Sequence, residues 1–292
     1  MKRKAMLTST ILLLIACFTL SALAAEHGHK KPQKNGILLV AFGSTIPEAQ
    51  VSFDNIDRSV KAAYPNIPIR WAYTSSIIRK KLAKEGKHLD SPEVALAKML
   101  EEGFTHVAVQ SLHTIGGEEF HDLRQSAQAF HYPGGFQRIL VGYPLLATQK
   151  DMEKAVGAIL ENIPKSRKED EAVVLMGHGT HHPSNAFYAA LMFQVQRQDP
   201  RVFIGCVEGY PEIDEIKVLL KEKNIKKAYL MPLMSVAGDH ARNDMAGPEE
   251  DSWKSVLSAA GIECVPILKG TAEYANFVQI WVDHLGSVLS HF

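Results

Sequence analysis

The sequence predicts an α/β protein of two similar units, each a mostly parallel four-stranded sheet flanked by helices, related by internal duplication. Three observations predict it. Short apolar runs alternate with helical patterns from residue 36 onward, the spacing of βαβ units. The runs are continuously apolar, as in strands covered on both faces. The whole pattern then starts again near residue 173.

The first unit opens with an apolar strand over residues 37–42, ending at Gly43-Ser44-Thr45. A helix follows over 47–63 and stops at Tyr64-Pro65, and 67–73 form the second strand. Helical patterns cover 77–83 and 92–102. Ser91 is a natural N-cap, Pro92 suits the first helical position and Gly103 the stop. Residues 106–111 are the third strand and 112–117 a loop. A helix over 118–129 and a strand over 136–141 complete the unit. A helix over 149–162 and the charged stretch 165–171 lead, as a hinge, to the second unit. There the strands fall at 173–176, 202–207, 227–231 and 263–268, and the helices at 184–197, 212–223 and 248–260. A last amphipathic helix over 272–289 is expected to pack back across the units. The domain limits are 36–165 and 166–270, with 271–292 as the terminal helix.

The restart aligns in detail. Leu39-Val40-Ala41-Phe42-Gly43-Ser44 lies over Leu175-Met176-Gly177-His178-Gly179-Thr180, and Trp71-Ala72-Tyr73-Thr74-Ser75 over Ile204-Gly205-Cys206-Val207-Glu208. The loop containing Glu119 lies over the one containing His240. The skeleton repeats while the reactive residues differ: Phe42 corresponds to His178, Ser75 to Glu208 and Glu119 to His240. His178, Glu208 and His240 each follow a strand of the second unit, and parallel strands bring such ends to one edge of the sheet. Two imidazoles and a carboxylate suit a borderline divalent metal, and the same groups accept protons near neutral pH. The plainer roles are a helix cap for Glu208 and a loop position for His240. His181 and His182 follow closely, but Pro183 makes the segment a turn and puts both on the rim of a cleft.

Composition bounds the rest. Lys and Arg number 32 and so do Asp and Glu, with no basic concentration, which argues against a nucleic-acid surface. Residues 1–25 read as an export signal: Met1-Lys2-Arg3-Lys4, an apolar run over 5–20, and small residues through Ala24-Ala25. A soluble periplasmic product without stable membrane insertion is expected, the alternative being a lipoprotein cut at Cys17. Residues 26–35, with His27 and His29, read as a flexible, solvated start. Cys206 and Cys264 remain, either as a disulfide or as two buried thiols. The phosphate-cradling motif G-x-x-x-x-G-K-[ST] is absent.

Gly177-His178-Gly179-Thr180, then Val207-Glu208-Gly209, then Ser235-Val236-Ala237-Gly238-Asp239-His240 together resemble the class II tetrapyrrole chelatases. The likeness is to the anaerobic sirohydrochlorin cobalt chelatases of cobalamin biosynthesis, and it runs from about Gly36 to the last helix. The resemblance implies two flavodoxin-like domains with the active site between them. It implies His178, Glu208 and His240 as metal ligands, and His178, His240 and Glu119 as proton acceptors, Glu118 being the adjacent alternative. The implied reaction is ATP-independent insertion of a divalent metal into a tetrapyrrole with release of two protons. Cobalt is favoured as the substrate metal, with iron and nickel as further candidates. The export signal departs from the mostly cytoplasmic family.

Phe42, Tyr73, Tyr210 and Arg242 are candidates to hold the carboxylate-rich macrocycle. His113 and His121 are left over by this constellation and could ligate a haem iron, between subunits of a homo-oligomer. A periplasmic metal or haem carrier on the same scaffold is therefore the alternative function.

Overall fold

Both sheets are parallel throughout and share one strand order. A computed structural model describes residues 31–292; the segment expected to be an export signal, Cys17, His27 and His29 lie outside the described residues. The first sheet joins β1 (Asn35–Ala41), β2 (Ile69–Tyr73), β3 (His106–Ser111) and β4 (Arg138–Gly142) in the order β2-β1-β3-β4. The second joins β5 (Ala172–Gly179), β6 (Val202–Glu208), β7 (Lys227–Pro232) and β8 (Glu263–Pro266) in the order β6-β5-β7-β8. The matching orders are the structural form of the repeat in the sequence.

The helices are α1 (Gln50–Ala63), α2 (Ser76–Lys84), α3 (Pro92–Glu101), α4 (Glu118–Gln128), α5 (Gln149–Asn162), α6 (Ala186–Gln196), α7 (Ile213–Glu222), α8 (Trp253–Ala259) and α9 (Ala275–Leu289). Three expected helices begin instead with a separate 3-10 turn, at Pro47–Ala49, Pro183–Asn185 and Thr271–Glu273. In the first two a proline opens the turn, where its missing N–H costs nothing. The helix expected over 248–260 starts late, because the Ser252 hydroxyl caps Ser255 N–H at 3.2 Å. The segment Ala241–Met245, expected as loop, is a π-helical turn.

Strand alternation explains the core. On β1, Ile37, Leu39 and Ala41 face one way and Leu38 and Val40 the other. The first set joins Val173 and Leu175 of β5 and residues of α1, α5, α6 and α9 in one core common to both sheets. The opposite faces are covered separately: α3 and α4 cover Leu38 and Val40, while α7 and α8 cover Val174 and Met176 of β5. Residues Lys34–Phe292 accordingly form one compact unit.

The stretch 165–171, expected as a hinge, is fastened down. Arg167 pairs with Asp199 and donates from Nε to the Glu171 carbonyl at 2.8 Å, and Glu171 accepts from Lys168 N–H at 2.9 Å. Helix α9 lies on α1, α5, β3 and β4. Its His284, 9 % exposed, hydrogen-bonds the Tyr143 carbonyl at 3.1 Å and Asp151 at 2.9 Å. Cys206 and Cys264 are free thiols. They sit on β6 and β8, the two edges of the sheet, three strand spacings or about 14 Å apart, beyond disulfide reach. Burial pushes their pKa values up, to about 12 and about 11. Among the described residues no helix is long and apolar enough to cross a membrane.

Candidate active site

Strand β5 runs straight into the functional turn, and two glycines shape it. A Cβ on Gly177 would stand 2.5 Å from the ring of Tyr188. A Cβ on Gly179 would stand 1.6 Å from the Glu208 carbonyl oxygen, and Gly179 has φ +80°, a conformation that side chains resist. Glycine at both positions lets β5 close onto α6 and β6 and still present His178. Tyr188 is fully buried beneath the turn, its hydroxyl near the backbone of His178 and Gly179 and near Thr114 of the first unit. Burial drives its pKa far above the ordinary tyrosine value.

The structure brings His178 and His240 together. Their ring centroids are 4.8 Å apart, edge to face, with the planes at 88°. Phe42 reaches them from the first unit, its ring 6.3 Å from that of His178. Residues aligned by the internal repeat therefore also meet in space. The rims close alongside: Gly238 packs on Ser44, and Gly117 on Thr180 and Ser184.

Hydrogen bonds fix which nitrogen each imidazole offers. His178 Nδ1 lies 3.0 Å from the Gly179 carbonyl, which can only accept, so Nδ1 carries the proton and Nε2 keeps a free lone pair. His240 Nδ1 lies 2.5 Å from the carboxylate of Asp244, four residues on in the π-helical turn, so its Nε2 is free in the same way. A carboxylate behind a histidine sets its tautomer and ring orientation for metal binding. Two imidazoles with bare Nε2 atoms and ring centres 4.8 Å apart suit a soft-to-borderline metal ion or a proton.

The other expected residues fall differently. Glu208 ends β6 exposed, and its register partner is Gly179, not His178. Among the described residues no group of three or more His, Cys, Asp or Glu side chains stands close enough to hold a metal. Glu119 is placed against His113, with Oε2 and Nε2 3.0 Å apart, and Ser111 Oγ lies 2.8 Å from His113 Nδ1. His113 is almost buried, engaged at Nδ1, while its Nε2 faces Glu119 without making a hydrogen bond. His121 is exposed. Arg242 rests on the Ala237 carbonyl and stands 3.9 Å from Glu48 of the first unit.

Tyr73 turns back to stack on Trp71 and meet the edge of Phe53. It lines a separate groove of about 260 Å³ with Asp54, Asp57 and Asp90 at the sheet edge. Burial first, then Asp57 and Asp54, push its hydroxyl up to about 12. Tyr210 is exposed, and its carbonyl accepts from Asn185 at 2.6 Å. The same Asn185 accepts from Thr180 N–H, tying the loops after β5 and β6 together. His181 stays exposed on the rim.

Sequence reasoning missed Asp244 and Tyr188. The four-residue step from His240 to Asp244 was visible, but it is informative only once the segment is known to be helical. Tyr188 carried no chemical signal apart from lying one turn into the next helix.

Comparison with known proteins gives the chain a family and a shared fold. The model of the cobalt chelatase family CbiK matches residues 35–290. The chain is 48% identical over 262 residues to the sirohydrochlorin cobaltochelatase CbiKC of Nitratidesulfovibrio vulgaris, covering 90% of this chain and 93% of that one. It is 38% identical over 261 residues to the sirohydrochlorin cobaltochelatase of Salmonella typhimurium, covering 88% and 97%. Among solved structures, SirB from Bacillus subtilis with Fe3+ superposes with a TM-score of 0.61 at 17% identity, over 88% of this chain and 96% of that one. CbiX, described as the terminal enzyme of sirohaem biosynthesis in denitrifying bacteria, gives 0.54 at 16%, over 86% and 98%. The last two show a shared fold.

Proposed function

The chain belongs to the cobalt chelatase (CbiK) family, and on that footing we propose that it inserts Co2+ into sirohydrochlorin without ATP, releasing two protons. The observation that carries the reading is the pair of bare Nε2 atoms on His178 and His240, each set by a hydrogen bond at Nδ1.

Insertion of a divalent ion into a free-base macrocycle needs a site that holds the ion without trapping it, and a base for the pyrrole protons. Two neutral imidazoles can do both in turn. His178 and His240 receive the ion, and the exposed carboxylate of Glu208 swings in as the third ligand. The macrocycle enters between the units, with Phe42 against its face and Arg242 toward its carboxylates. As the ion passes to the ring nitrogens, the imidazoles it leaves take up the displaced protons. Glu119, freed from His113, is the outlet on the first unit.

Fe2+ and Ni2+ are the competing ions. Chelation assays with all three, on the native protein and on His240→Ala, test the choice. The reading predicts fastest turnover with Co2+ and loss with every metal in the variant; equal rates in both proteins would refute it. We further propose action in the periplasm after removal of residues 1–25, which N-terminal sequencing of the exported protein would check. Relatives named for catalysis favour turnover over carriage. Haem ligation by His113 or His121 would show as a Soret band in the purified protein.

A further inference from the structure

His121 and His182 come from opposite units and meet at the edge of the loop that carries His178. Their ring centroids are 5.1 Å apart with planes at 46°. The tautomer of His182 is set by the chain. The backbone N–H of Ser184 points at its Nδ1 from 3.1 Å, and a backbone N–H only donates. Nδ1 is therefore an acceptor, with the Ser184 hydroxyl also 2.9 Å away, and the proton sits on Nε2, the reverse of His178 and His240. In that state His182 offers an N–H outward and no lone pair for a metal at Nε2.

His121 stands exposed on the first turn of α4, its ring 6.0 Å from that of Phe120 and its nitrogens without a hydrogen bond among the described residues. Arg124 lies three residues on, over the same Phe120 ring at 6.0 Å, and has no carboxylate partner among the described residues. A Cβ on Gly117, at the start of α4, would meet Ser184 Oγ at 3.7 Å and Thr180 Cγ2 at 3.8 Å, so the two walls stand close there. Imidazoles thus face one another from both units, with Arg124 on the same Phe120 ring that His121 meets, at the side of the proposed site. Such a set fits a carboxylate.

We propose that His182, His121 and Arg124 grip a peripheral carboxylate of the tetrapyrrole, bridging the two units and orienting the ring over His178 and His240. The proposal rests on the sirohydrochlorin reading and adds to it a binding subsite that takes no part in holding the metal.

Two variants separate this role from folding. His182→Asn keeps an oxygen to accept Ser184 N–H, since asparagine caps well, but its shorter side chain withdraws the donor from the position of Nε2. His121→Phe keeps the ring packing and loses the nitrogens. Equilibrium binding of metal-free sirohydrochlorin, followed by fluorescence, needs no turnover. Each variant is expected to raise its Kd about tenfold, the loss of one hydrogen bond to a charged group. KM for Co2+ stays at the native value, and a fully amidated tetrapyrrole binds all three proteins alike. Native affinity for sirohydrochlorin in both variants would overturn the subsite, and so would a rise in KM for Co2+ with unchanged tetrapyrrole binding. If the native protein binds sirohydrochlorin in a variant-sensitive way but inserts no metal, the subsite stands and the chelatase reading falls.

Discussion

Replacing Gly179 by alanine strikes the turn at its narrowest point, and the structure sets the size of the effect. The added Cβ would lie 1.6 Å from the Glu208 carbonyl oxygen and 2.7 Å from Cys206 Cβ. Ordinary contact begins near 3.5 Å, so β5 and β6 must part by about 2 Å at their ends. Glu208 supplies a backbone atom, which cannot rotate aside. Holding alanine at φ +80° costs about 1–2 kcal/mol, and overpacking a further 1–3 kcal/mol or so. About 3 kcal/mol in a chain of this size lowers Tm by roughly 6–12 °C. The displaced turn carries His178, and an ångström of misplacement is worth about 100-fold in kcat/KM. Thermal unfolding and Co2+ insertion measured on the same preparation read both effects. Gly157→Ala on α5, where a Cβ meets nothing within 4 Å, is the control and should gain about 0.5–1 kcal/mol. A Gly179→Ala protein that melts and turns over like the native one would refute the account of this turn.

Asp244→Asn leaves the fold intact but removes the charged partner of His240, and kcat/KM is expected to fall about 10–100-fold with an unchanged melting curve. Tyr188→Phe removes the hydroxyl under the His178 turn and should cost about 1 kcal/mol, read as a shifted denaturant midpoint at constant slope. Asp151 tests pH dependence. Burial pushes its carboxyl up, but hydrogen bonds from His284 and Thr148 and the His284 charge outweigh this and hold it below the ordinary value. A lowered native pKa contributes stability above the unfolded value, near 3.9, which is lost as pH falls through the native one. Asp151→Asn should therefore be less stable than native by about 3 kcal/mol at pH 7, with the gap closing below about pH 4. A gap independent of pH would show that the pair is not ionic.

The fold was legible because both sheets are buried on two faces. Continuous apolar runs such as Val173-Val174-Leu175-Met176 have no competing reading at that length, and punctuation such as Ser91-Pro92 marked helix starts directly. Helix starts at Pro47, Pro183 and Thr271 were less legible, since a 3-10 turn and an α-helix share the same residue preferences at their first positions. For the site, position at a strand end was enough to pair His178 with His240. It was not enough for Glu208 or Tyr73, because the direction in which a side chain leaves a strand end depends on register and neighbouring rings. Opposite tautomers for His178 and His182, four residues apart, follow from one carbonyl and one amide and have no trace in residue identity. Glu119 was placed by resemblance to face the metal. Its actual partner, His113, sits six residues earlier, across a loop whose path only the folded chain defines.

The central claim is that His178 and His240 hand a metal ion to a tetrapyrrole. Its most direct measurement is the initial rate of Co2+ insertion into sirohydrochlorin, without ATP, by purified native protein and by His178→Ala and His240→Ala proteins of confirmed fold. The account predicts turnover by the native chain and a loss of at least about 100-fold in each variant. Native-level turnover by either folded variant would contradict it.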